Sequence, residues 1–171
     1  SFTAQIICLY VISMMFAFSR HIISAEKMNE MLVDVLKLSC YLEKIFSLTS
    51  QMKDIAGSLR NFDTMFILGR GIHYPVALEA ALKLKEVSGV HAEGLSASEM
   101  KHGPIALISE TTPVFFIAPM DEIYEKTLNN IEEIKARGGK TFVVTTENNK
   151  NIEKFCDCVI FIPDSKKLSP V

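Results

Sequence analysis

Lys83, Lys85, Glu86, His91, Glu93, Glu99, Lys101 and His102 crowd into one stretch, KLKEVSGVHAEGLSASEMKHGP (83–104), of an otherwise largely apolar chain. A carboxylate can carry a proton between neighbouring carbons, and a histidine with a free pKa of about 6.5 can shuttle one near neutral pH. A lysine can steady the charge that develops. Aldose–ketose interconversion of a small polar substrate uses such a set, with a histidine to open the sugar ring and a carboxylate to move the proton. The same residues are also what the solvated face of a helix and its loop would show. Glu79, Lys83 and Glu86 stand at i, i+4 and i+7, one stripe of a helix predicted over 75–87, and as an exposed acid–base pair they need no function. Glu86 falls in the last turn, where the helix dipole disfavours an acid; so placed near a strand end, it is a candidate general base. His102 lies in SEMKHGP, where Gly103 and Pro104 impose an irregular turn. His91 and Glu93 leave a short strand, VHAE, as hydrogen-bonding residues.

GRGIHYP (69–75) joins a predicted strand to a predicted helix, which suggests a phosphate cradle. It lacks the third glycine of a dinucleotide fingerprint, the Lys-Ser/Thr of a P-loop and a cluster of hydroxyl side chains. A tight turn serving helix–sheet packing competes with the cradle, and His73 is open to either reading.

These side chains need a frame. Hydrophobic residues make up 49% of the 171 and charged residues 22%, enough to bury a core, and the net charge of −2 carries no basic footprint for nucleic acid. Cys8, Cys40, Cys156 and Cys158 lack zinc-site spacing and are expected to be reduced thiols of a cytoplasmic protein. No motif calls for a metal or a cofactor. IICLYVISMMFAF (6–18) is an apolar stretch of only 13 residues, short of the roughly 20 that span a membrane. No basic region precedes it and no cleavage site follows, so a fully buried helix is expected rather than a membrane segment or signal peptide. A chain opening on such a helix looks cut from something longer.

Residues 2–60 are expected to be helical. Ser24 is the N-cap of a second helix with Met28, Met31, Leu32, Val35, Leu36 and Leu42 at helical spacing, and a third helix covers about 49–60. From Thr64 apolar strands alternate with helices. TMFILG, PVFFIAP, KTFVVTT and CDCVIFIP are strands; the 75–87 helix, a helix from Asp121 to Gly138-Gly139 and a short helix in NNKNIEKF lie between them. The alternation predicts an α/β fold with a parallel sheet covered on both faces, and ligand sites beyond the carboxyl ends of its strands, at 69–75 and 93–104. Ala77, Ala80, Ala81, Leu84 and Val87 offer a surface of mostly small residues for close helix–sheet packing.

LGRGIHYPVALEAALKLKEVSGVHAEGLSASEMKHGPIALI closely resembles the isomerase half of the glucosamine-6-phosphate synthases, the glutamine–fructose-6-phosphate amidotransferases. The similarity continues through NNIEEIKARGG and, upstream, SFTAQ and its helix. That half holds two sugar isomerase (SIS) domains, each a flavodoxin-like parallel sheet flanked by helices. The resemblance implies that residues 1–60 are a helical segment leading from a first SIS domain and that 61–171 form the second. It further implies that Glu86 shuttles the proton between C1 and C2 of fructose 6-phosphate, that His102 opens the sugar ring from across a homodimer interface, and that Lys83 assists proton removal. The phosphate-holding loop is expected in the first SIS domain, a glutaminase domain in the parent chain, and the Schiff-base lysine in a tail past Val171, so the chain alone is expected to be inactive. Two other readings compete: a related SIS sugar-phosphate isomerase or deglycase, and a non-catalytic SIS module that senses sugar phosphates. The joint retention of Lys83, Glu86 and His102 argues against the sensor, which needs affinity but no proton carrier.

Overall fold

The computed structural model describes residues 2–165, and they divide into two compact units. The first unit contains two helices, α1 (Phe2–Ser19) and α2 (Ala25–Phe46). Ser24 caps α2 as expected, its hydroxyl accepting from the Lys27 amide at 3.1 Å. The expectation of a fully buried first helix is overturned. Met14 is the buried residue of α1, while Leu9, Met15 and Phe16 are more than 60% exposed. A helix that is apolar all round cannot be covered by a single neighbour, which shields one stripe at most. At 18 residues and a mean hydropathy of 1.8, α1 is also long and apolar enough to cross a membrane by length and composition. On α2, Met28, Met31, Leu32 and Val35 are half-buried, whereas Leu36 and Leu42 are exposed for the same reason.

The second unit, Thr49–Asp164, starts with α3 (Thr49–Leu59), tied to the sheet by Gln51, whose Nε2 donates to the Val159 carbonyl at 2.8 Å. The chain then runs β1 (Thr64–Gly69), α4 (Tyr74–Ser88), β2 (His91–Ser96), β3 (Pro113–Ile117), α5 (Tyr124–Ala136), β4 (Lys140–Thr146) and β5 (Cys158–Ile162). Two 3-10 segments, Ala97–His102 and Pro104–Leu107, connect β2 to β3. The stretch expected as a short helix in NNKNIEKF is a 3-10 turn, Ile152–Lys154.

All strand pairs are parallel and the order is β2-β1-β3-β4-β5, the flavodoxin-like arrangement. β1 is apolar on both faces because both are covered. Met65 and Ile67 meet Ala77 and Ala81 of α4, together with Ala92 of β2. Phe66 and Leu68 point the other way, into a cluster with Ala97, Met100, Ile131 and Ile134. Val87 does not join the packed face of α4. It is 85% exposed, since six residues on from Ala81 lies about 240° round the helix.

The small residues on α4 let it come close to β2. A Cβ added at Gly94 would stand 2.8 Å from the Ala77 carbonyl oxygen and 2.8 Å from the Leu78 Cα. Gly94→Ala should therefore cost about 1–3 kcal/mol, read as a lower urea midpoint at unchanged slope. An unchanged midpoint would mean that the helix is free to move away.

At the start of β4, burial alone would raise the Asp157 carboxyl. Lys135 Nζ at 2.6 Å and the Thr141 amide and hydroxyl outweigh it and hold that carboxyl below its ordinary value. A depressed folded pKa stabilises above the unfolded value of about 3.9, and the contribution fades as pH falls through the lower folded value. Asp157→Asn should cost about 1 kcal/mol at neutral pH, after allowing for solvent screening, and the gap from the native chain should close below about pH 4. Urea midpoints measured from pH 2 to pH 7 test this.

Candidate functional site

Pro75 stands in the first turn of α4, and Gly89, at φ 71°, ends it. Lys83 and Glu86 project from its outer side, 54% and 52% exposed, with Lys83 Nζ donating to Glu86 Oε2 at 2.5 Å. Glu79 is the second partner of Lys83, at 3.9 Å. The Glu86 carboxylate, through this hydrogen bond and its charge, lifts Lys83 above its ordinary pKa, with Glu79 adding to it. Lys83 is thus a cation that can donate or steady negative charge rather than accept a proton. Leu78 and Leu82, each 43% exposed, run along the same outer side next to Glu86. The pair is therefore flanked by apolar surface.

His102 is the last residue of the 3-10 segment Ala97–His102 and is itself exposed. Gly103 follows at φ 141°, a conformation open to glycine and closed to other residues, so the chain turns directly after the histidine. Ala97 and Met100 anchor the segment in the cluster with Phe66 and Leu68, whereas α4 lies against Met65 and Ile67. His102 and Glu86 hence belong to elements on opposite faces of the sheet. They also stem from opposite edges: the segment leaves the carboxyl end of β2, where Ser96 is level with Gly69, and Glu86 lies in the last turn of α4, which ends beside the start of β2. A packed layer is about 10 Å thick and a hydrogen bond about 3 Å long, so no single small substrate bridges the two within one chain. The structure brings Lys83 and Glu86 together and leaves His102 apart.

The carboxyl edge between β1 and β3, where the strand order reverses, is occupied by other residues. His73 is 1% exposed and its Nε2 donates to Asp121 Oδ2 at 2.7 Å. Its Nδ1 is buried without a partner among the described residues. Asp121 also accepts from the Ile123 amide at 3.0 Å. The expected helix start at Asp121 is thus displaced to Tyr124, because the aspartate caps the preceding turn and holds His73. Nothing in the spacing of His73 and Asp121, 48 residues apart, announced this pair. His91 and Glu93 are exposed residues within β2, which continues to Ser96.

All four cysteines are free thiols. Burial pushes Cys156 up to about 11, so that thiol is inert at neutral pH. Among the described residues no group of three or more His, Cys, Asp or Glu side chains is placed to hold a metal ion.

The family model for the SIS domain matches residues 58–168. The chain is 42% identical over 170 residues, 98% of its length, to the glutamine–fructose-6-phosphate aminotransferase (isomerizing) of Methanosarcina acetivorans, and 42% identical over 165 residues to that of Chlorobaculum tepidum. It spans 27% of the length of each. Among solved structures it is similar to the C-terminal domain of glucosamine-fructose-6-phosphate aminotransferase from Francisella tularensis, with a TM-score of 0.87, 28% identity, and coverage of 95% of this chain and 46% of that one. Tagatose-6-phosphate ketose/aldose isomerase from Escherichia coli shares the fold at a TM-score of 0.57 and 18% identity, over 69% of this chain and 34% of its own.

An exposed ion pair on a helix surface adds little to stability. Lys83→Met should leave the thermal and urea midpoints unchanged within error; a clear loss would mark the pair as part of the scaffold.

Proposed function

The chain belongs to the SIS-domain family, and we propose that it is the second SIS domain, with its leading helices, of a glutamine–fructose-6-phosphate aminotransferase that isomerises its product. In this reading residues 1–60 are the connecting helices and 61–171 the domain. The observation that carries it is the Lys83–Glu86 pair on an open helix face, with His102 out of reach across the sheet. These are residue types that aldose–ketose chemistry uses, and in this reading a second copy supplies the histidine.

The proposed chemistry starts from fructose 6-phosphate. His102 of one copy moves the proton that opens the sugar ring. Ammonia from glutamine replaces the C2 carbonyl oxygen, which leaves as water. Glu86 of the other copy takes a proton from C1 as the double bond shifts to C1–C2 and the imine nitrogen gains a proton; a proton returned at C2, with loss of the C1 hydroxyl proton, gives the 2-amino aldose, glucosamine 6-phosphate. Lys83, held protonated, steadies the charge that builds as the C1 proton leaves. Half-exposed as it stands, Glu86 is well hydrated, and a base effective near neutral pH needs that hydration removed. The apolar flank of Leu78 and Leu82 is suited to being covered by another part of a longer polypeptide, and the exposed face of α1 fits the same explanation. The phosphate anchor and the imine-forming lysine are assigned in this reading to other parts of that polypeptide, and the site to a homodimer.

Two expected outcomes test it in the full-length enzyme. With fructose 6-phosphate in deuterated water, Glu86→Gln should slow deuterium incorporation at C1 by at least about a hundredfold while substrate still binds. Undiminished exchange would return Glu86 to the role of a surface residue. Separately, Glu86→Gln and His102→Asn chains, each inactive alone, should recover about a quarter of native activity after random mixing, because each mixed dimer of a two-fold pair rebuilds one of its two sites. No recovery would place both residues in the same subunit's site.

A further inference from the structure

The segment that carries His102 is held from one side by a polar chain crossing the carboxyl half of the second unit. Arg70, in the loop after β1, donates from Nη1 to Asn130 Oδ1 of α5 at 3.3 Å. Asn130 is 4% exposed and its Nδ2 donates to Glu133 Oε2 at 3.4 Å. Glu133 Oε1 in turn takes Lys101 Nζ at 2.6 Å, and Lys101 is the residue before His102. Asn130 and Glu133 are three apart on α5, so they share the stripe that faces the segment, beside Ile131 and Ile134 in the core.

The segment is a single 3-10 run, a geometry with weaker hydrogen bonds than the α-helix, and it ends at Gly103, whose φ of 141° turns the chain directly after His102. Ala97 and Met100 fix its beginning and middle by burial, but the turn that bears His102 is exposed. The Lys101–Glu133 contact reaches this end of the segment from α5. At 54% and 36% exposed, the pair adds little to overall stability, so its consequence is geometric.

We propose that Glu133 is a positioning residue for His102: oriented by buried Asn130 and hence by Arg70, it fixes Lys101 and aims the neighbouring histidine. The inference rests on the proposed role of His102 in ring opening and names what holds that residue in register. Because Arg70 lies in the loop at the strand-order reversal, the chain also connects that loop to the His102 turn.

Ring opening can be isolated chemically. Fructose 6-phosphate is mostly cyclic, whereas 5-deoxyfructose 6-phosphate has no 5-hydroxyl and its 6-oxygen is phosphorylated, so it stays open. In the full-length enzyme, Glu133→Gln and Lys101→Met should each slow kcat on fructose 6-phosphate by about ten- to a hundredfold and leave C1 deuterium exchange on the open-chain analogue at the native rate. His102→Asn, run alongside, should show the same selectivity for the cyclic substrate. Equal losses on both substrates for Glu133→Gln, or no loss, would overturn the positioning role while His102→Asn still discriminates. If His102→Asn itself fails to discriminate, the ring-opening assignment falls, and the positioning proposal with it.

Discussion

A parallel sheet with apolar residues on both faces has to be covered on both, and the rest of this domain follows from that requirement. β1 supplies Met65 and Ile67 to one side and Phe66 and Leu68 to the other. α4 satisfies the first set, whereas the 97–107 connection and α5 satisfy the second. The consequence for chemistry is direct. The strip of sequence richest in reactive side chains, 83–104, passes from one face of the sheet to the other through β2, so its two ends are parted by the sheet itself. Closeness along the chain becomes separation in space, and a site that uses both ends draws on two copies in the reading we propose.

The electrostatics on the α4 side fit a site that is completed from outside. Glu86 is placed where the helix dipole disfavours it, and Lys83 compensates at hydrogen-bonding distance. A lysine raised by that contact stays charged, which leaves the carboxylate as the group able to accept a proton. Covering the pair with apolar surface would weaken its hydration and strengthen the field between its members. The leucines beside it provide half of such an enclosure.

On the opposite face, polar contacts fix loop positions in addition to the packing of Ala97, Met100 and α5. The switch-point loop is fixed by the His73–Asp121 contact, and the His102 turn by Lys101 and Glu133, with Asn130 and Arg70 behind them. Buried amide and imidazole groups are costly without partners, so they specify loop positions more sharply than apolar contacts can. The unpartnered Nδ1 of His73 is the exception, a buried polar atom that the described residues leave unsatisfied.

Strand and helix alternation, the Ser24 cap and the proline in the first turn of α4 were legible in the sequence, because each is set by local propensity or by side chains within one or two turns. The local pattern misled where it was asked about environment. α1 is as apolar as a core helix yet largely exposed, and Val87 has core chemistry without core position, since burial depends on what lies opposite and not on what a residue is. The polar partnerships were out of reach for the same reason. Asp121 comes to His73 across 48 positions and Asn130 to Arg70 across 60, distances closed by β-strand order and crossover, which no spacing along the chain records. The chemistry available to this protein was thus determined by its sequence, residue by residue. Which of those residues meet, and which are held on opposite sides of a sheet, only the tertiary structure decided, because a side chain's neighbours are chosen by the packing of elements far apart in the chain.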